Sequence, residues 1–259
     1  MPLPPPGVTL GAAMPFRRAA LILTLMGACY MGLAWAGWVP GGWRLRNLYE
    51  PHQVRETRRR AEHRQQRLAL FRREIIVGDH PVVFFGSSII ERMPLGRLAP
   101  AESTVNRGVA FESGDELLER LSIGIPPQPG GIVLYMTSID HRFGGASPEQ
   151  IRDLGASIID QATLLWPSAP IAVLALLPEV SMEKSRVEAL EEANSNLGEL
   201  CHIRSIPFIT VNASPLTLAD GSLDPNLSSD PLHLNDAGYD HLWRAIQMNS
   251  GPLGEALGR

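Results

Sequence analysis

Short apolar runs that stop at a glycine or proline alternate with stretches of helical character along most of this chain, and that alternation limits the possible folds. Val82 to Phe85 is an uninterrupted apolar run ending in Gly86-Ser87-Ser88. A run of this kind reads as a strand buried on both faces that ends in a tight turn. Thr104-Val-Asn-Arg-Gly108, the stretch 131–136, the stretch 171–177 closed by Pro178, and 207–211 repeat the pattern. Helical segments lie between them. Ser113 with Glu116 has the spacing of a capping box before Leu117, Leu118 and Leu121. Ser147-Pro148 opens a helix whose apolar face uses Ile151, Leu154, Ile158, Ile159 and Leu164. A further helix covers about 183–201, and Asn235 caps a last one carrying Tyr239, Leu242 and Ile246. Strand and helix in alternation predict an α/β domain with a five-stranded parallel sheet covered on both faces.

The N-terminal part has a different character. Residues 1–18 are Pro-rich and end in Arg17-Arg18, and 19–38 hold no charge. About 20 apolar residues suffice to cross a bilayer as a helix. The segment is therefore expected to be a signal anchor or transmembrane helix. A cleavable signal peptide with a small-x-small site at Ala34-Trp35-Ala36 is the alternative, and a lipoprotein signal at Cys29 a third. The chain would then be membrane-anchored and face the extracytoplasmic side. The arginines Arg44, Arg46, Arg55 and Arg58 to Arg60 argue the other way on orientation. The expected organisation is a tail and anchor over 1–40, a basic helical linker over 41–75 whose last turns dock through Leu68, Leu70 and Phe71, and a globular α/β domain over 76–259.

Composition removes several functional classes. A net charge of −4, with arginines in the linker interspersed by Glu56, Glu62 and Glu74, gives no footprint for nucleic acid. The two cysteines, Cys29 and Cys201, cannot form a disulfide inside the globular part, and Cys201 reads as a small buried hydrophobe. No C-x-x-C or H-E-x-x-H pattern points to a metal. His52, His63 and His80 read as surface residues, and His202 and His241 as structural or exposed; His141 could reach the cleft. Asn212, which ends the fifth strand, reads as part of a loop turn.

The residues suited to nucleophilic chemistry sit at two places far apart in the chain. Serine attack needs an exposed hydroxyl, an imidazole to take its proton and a carboxylate to orient that imidazole. Gly86-Ser87-Ser88 offers the hydroxyl at a strand end, where α/β folds bind ligands. Asp230-Pro-Leu-His233 offers the acid and base three residues apart.

These residues resemble the SGNH, or GDSL-like, hydrolase family of esterases and acylhydrolases over about 68–246. Gly86-Ser87-Ser88 matches the family's Gly-Asp-Ser, with Ser88 in the nucleophile position and Ser87 replacing Asp. Asn106-Arg107-Gly108 matches the second block, and Asp230-Pro-Leu-His233-Leu-Asn-Asp-Ala-Gly-Tyr239 the last. The resemblance implies a flavodoxin-like three-layer α/β/α sandwich with the site at the C-terminal sheet edge and no cofactor. It implies that Ser88, Asp230 and His233 are catalytic, and that the backbone N–H groups of Ser88 and Gly108 form an oxyanion hole. Ser87, Asn106, Thr137, Ser138, Ile139 and Asp140 would line the pocket. One block departs: Ile139 stands where the family has an asparagine that donates into the hole. Loss of one such donor costs on the order of 10²–10³ in turnover. The implied activity is ester hydrolysis on an envelope glycan or lipid. An O-acyltransferase and a weakly active or non-catalytic binding protein are the alternatives.

Overall fold

The computed structural model describes residues 13–36, 51–100, 103–136, 145–210 and 216–258. The chain divides into two compact units, residues 1–59 and 60–259. The first contains helix α1 (Ala13–Trp35) and the opening turns of helix α2 (His52–Arg73). The side chains of α1 from Ala20 to Leu33 are exposed. The expected membrane span over 19–38 is not found: among the described residues no helix is long and apolar enough to cross a membrane. Residues 37 and 38 of the expected stretch lie outside the described residues.

The second unit is built on five parallel strands: β1 (Val82–Gly86), β2 (Thr104–Gly108), β3 (Gly131–Tyr135), β4 (Ile171–Leu174) and β5 (Phe208–Ile209). Their order across the sheet is β2-β1-β3-β4-β5. This is the doubly wound order whose switch point lies between β1 and β3, where the crevice at the strands' C-terminal ends opens. Between the strands run short helices α3 (Ser88–Glu91) and α4 (Leu95–Leu98), then α5 (Gly114–Arg120), α6 (Pro148–Leu165) and α7 (Lys184–Ile203). A 3₁₀ turn (Pro225–Leu227), α8 (Asp236–Asn249) and α9 (Leu253–Ala256) complete the unit.

The pleat of β1 shows how the two faces are covered. Successive side chains of a strand point to opposite sides. Phe84 meets Trp243 of α8 with ring centroids 6.0 Å apart, and Phe85 meets Trp166 at the end of α6, also at 6.0 Å. The strand is buried from end to end, as its apolar run requires. The capping boxes at Ser113 and Ser147 are formed with Glu116 and Gln150, and Asn235 caps α8 by accepting from Gly238 N. The extended chain after β4 stays buried through Leu177, but the strand itself stops at Leu174.

Two core expectations fail. Leu70 of α2 is exposed, and only Leu68 and Phe71 of its last turns are buried. Leu164 is exposed, whereas Ile151, Ile158, Ile159 and Ala162 of α6 are buried. At about 100° per residue, Leu164 lies some 200° round the helix from Ala162 and so faces solvent.

Candidate active site

Ser88 begins α3 directly after the turn that closes β1. Gly86 has φ 157°, and a Cβ there would sit 2.8 Å from Tyr135 Cβ, so only glycine lets the strand turn here. Ser87 is buried at the helix start and Ser88 is half-buried.

The partner residues lie on the loop before α8. Asp230-Pro-Leu-His233 closes on itself: Asp230 Oδ1 accepts from the N–H of Leu232 at 2.9 Å and of His233 at 3.0 Å. The His233 carbonyl accepts from Ser229 N at 2.8 Å, and Val180 N donates to Pro231 O at 2.9 Å. This loop orients the two functional side chains. His233 Nδ1 lies 2.8 Å from both Asp230 oxygens, and His233 Nε2 lies 2.9 Å from Ser88 Oγ. A carboxylate only accepts, so Nδ1 carries the proton and Nε2 is the acceptor of the Ser88 hydroxyl.

The electrostatics agree with this assignment. Partial burial pushes the Asp230 carboxyl upward, but the Leu232 N–H, the imidazole and the His233 N–H outweigh it and hold the group down at about 2. Asp230 is thus a carboxylate wherever the imidazole is neutral. Arg92, just beyond α3, adds an ion pair to Asp230 Oδ2 at 3.2 Å. Tyr239 of α8 donates its hydroxyl to Ile89 O at 2.9 Å, and so ties α3 to the element that follows the His233 loop.

No family model and no curated protein matches the chain. Solved structures do. A protein of Streptococcus pneumonia described as a candidate platelet activating factor superposes with TM-score 0.68 at 24% identity, over 76% of this chain and 96% of its own. A GDSL-like lipase from Bacteroides thetaiotaomicron gives TM-score 0.56 at 18% identity, over 73% and 95%. A mutant acetyl-xylooligosaccharide esterase from Geobacillus gives 0.53 at 13%, over 71% and 97%. The fold is that of the SGNH, or GDSL-like, acylhydrolases.

Within this GDSL-like fold the remaining expected residues fall into three groups. Ser88, Asp230 and His233 are brought together as described. Thr137, Ser138, Ile139, Asp140 and His141 lie outside the described residues, as does Asn212. Gly108 and Asn106 are at the end of β2, beside β1. The Gly108 N–H donates to Asn106 Oδ1 at 2.9 Å, while Asn106 Nδ2 donates to Ile90 O at 2.6 Å. A Cβ on Gly108 would run into the backbone of Glu91. The glycine is therefore needed for close packing of β2 on α3.

Sequence reasoning missed Arg92, whose partner is far along the chain, and the partner of His63. His63 is partly exposed and lies 3.0 Å from Glu91 Oε2. Only the fold brings those residues within reach of their partners.

Proposed function

We propose that the protein is a serine ester hydrolase. The observation that carries this reading is the unbroken hydrogen-bond chain from Ser88 Oγ through the His233 imidazole to the Asp230 carboxylate. Ser88 Oγ attacks the ester carbonyl as its proton passes to His233 Nε2. The resulting imidazolium is held by Asp230 and returns the proton to the leaving alcohol. Water then adds to the acyl-serine with His233 as base, releasing the acid and restoring the serine hydroxyl. The N–H of Ser88, at the first turn of α3, is the oxyanion donor on this reading.

An acyl or acetyl ester carried by a glycan or a lipid is the substrate class we favour. One of the structures with this fold is an acetyl-xylooligosaccharide esterase. The sheet-edge location of Ser88 leaves it accessible to an ester borne on a larger molecule. The chemistry needs no cofactor, since nucleophile, base and orienting acid are all side chains of the chain itself.

The test is reaction of the full chain with a fluorophosphonate probe, followed by digestion and mass spectrometry. Wild-type protein is expected to carry the label on Ser88, with Ser88→Ala and His233→Ala unlabelled. A folded wild-type chain that takes up no label would remove the ester-hydrolase reading. Turnover of short-chain esters with and without a sugar acceptor then separates hydrolysis from acyl transfer: an acylated sugar in place of free acid would mean transfer.

A further inference from the structure

Helix α2 reads from sequence as part of a basic linker, yet from Arg60 onward its basic face is engaged with the end of β2 and the loop that follows it. Arg67 donates Nε and Nη2 to Gly108 O at 3.2 and 2.9 Å. His63 Nε2 lies 3.0 Å from Glu91 Oε2, and Arg67 Nε 3.8 Å from the same oxygen. That oxygen also accepts the N–H of Ala110. Glu91 stands one turn after Ser88 in α3, and its own N–H donates to Ser87 O at 2.9 Å. A single carboxylate, mostly buried, therefore joins the chain just past β2 to the turn that carries Ser88. Register makes the junction meaningful: Gly86 pairs with Gly108, so residues 87–88 and 109–111 leave adjacent strands at the same sheet edge.

The loop needs such a hold. Phe111 has φ 64°, left-handed backbone that costs a bulky residue on the order of 1–3 kcal/mol and persists only where its surroundings impose it. Those surroundings are on both sides. Val109 N donates to Gly86 O at 2.9 Å and Ala110 N to Glu91, while Glu112 beyond is buried against Arg120. The Arg60 guanidinium covers the Phe111 ring at 5.1 Å from its centroid.

Resting on the ester-hydrolase reading, we propose that Glu91 is a positioning residue for that reaction. Held by His63 and Arg67 of α2, it sets the spacing between the Ser88 turn and the 109–111 loop, the two backbone segments that flank the bound ester. Helix α2 is then part of the catalytic apparatus and not a tether. A displacement of about 1 Å at a reacting centre can lower turnover by 10², so the hold on Glu91 has a kinetic consequence.

The experiment uses the full chain with p-nitrophenyl acetate and the fluorophosphonate probe, and records kcat, KM and melting temperature. Glu91→Ala is expected to lower kcat about tenfold or more with KM within about twofold. Glu91→Gln, which still accepts the Ala110 N–H, is expected to recover most of the loss. His63→Phe and Arg67→Met leave α3 unaltered and are each expected to lower kcat about threefold without changing KM. They carry the comparison if Glu91→Ala does not fold. An active wild type matched in kcat by Glu91→Ala, or by both α2 variants, would overturn this inference alone. A wild type inert to ester and probe would overturn the ester-hydrolase reading, and this one with it.

Discussion

Arg92 places a cation 3.2 Å from Asp230 Oδ2, and the consequence is electrostatic. A positive charge near the carboxylate reduces the pull that Asp230 exerts on a proton at His233. Removing it by Arg92→Ala is expected to raise the pKa of the base, and so to move the acid limb of kcat/KM to higher pH. The move should be less than about one unit, because both partners of the ion pair are partly exposed. A pH–rate profile of the two proteins checks it. The same carboxylate gives a stability prediction. Asp230 is held near 2 in the folded chain against about 3.9 in an unfolded one. Its contribution is present above the unfolded value and is lost as pH falls through about 4 towards 2. Melting temperature should therefore drop across that window in wild type, and less steeply in Asp230→Asn. Cys201 is inert at this scale: burial pushes its thiol up to about 11.

Elements meet at the site through few contacts, and each can be tested singly. Helix α3, which begins at Ser88, is one turn long and could not hold its own shape. It is fixed by Asn106 at its C-terminal carbonyls and by Tyr239 at Ile89 O. Tyr239 is buried, and its hydroxyl is pushed well above the usual tyrosine range by that burial. Tyr239→Phe removes the bond and leaves the Ile89 carbonyl without this partner. The expected loss is about 1 kcal/mol, or about 2–4 °C in melting temperature for a domain of this size. Activity should fall with it if α3 also shifts, which the labelling rate at Ser88 would read.

At the scale of the folded unit, charge is buried beside the sheet. Glu112 and Arg120 are both buried and joined by two hydrogen bonds, and Arg107 is buried with its guanidinium on Glu74. Burial pushes the Glu112 carboxyl up, with Arg120 pulling it back. Phe71 of α2 lies among the guanidinium groups of Arg67, Arg107 and Arg120, at 4.7 to 5.8 Å from its ring centroid. Breaking such a pair leaves an uncompensated charge in the interior. Glu112→Ala is expected to cost about 3–5 kcal/mol by denaturant unfolding, whereas a well-packed Glu112→Leu/Arg120→Met double variant should recover most of that.

The alternation of apolar runs with capped helices, the glycine that ends β1, and the Asp230-x-x-His233 turn are all local patterns, and the chain's own order sufficed to read them. Each depends on residues a few positions apart, where backbone geometry imposes the spacing. What lay beyond that reach was decided in three dimensions. His233 meets Ser88 across 145 residues, and Arg92 meets Asp230 across 138. Gly108 comes so close to the Glu91 backbone of α3 that no side chain would fit there. His63 and Arg67 look like residues of a solvated helix until Glu91 and Gly108 come against them. Leu164 continues an apolar count but faces solvent. Local propensity and capping are short-range, so sequence carries them directly. Which strand ends share an edge depends on the order β2-β1-β3-β4-β5, and that order is set by how the whole chain buries both faces of its sheet.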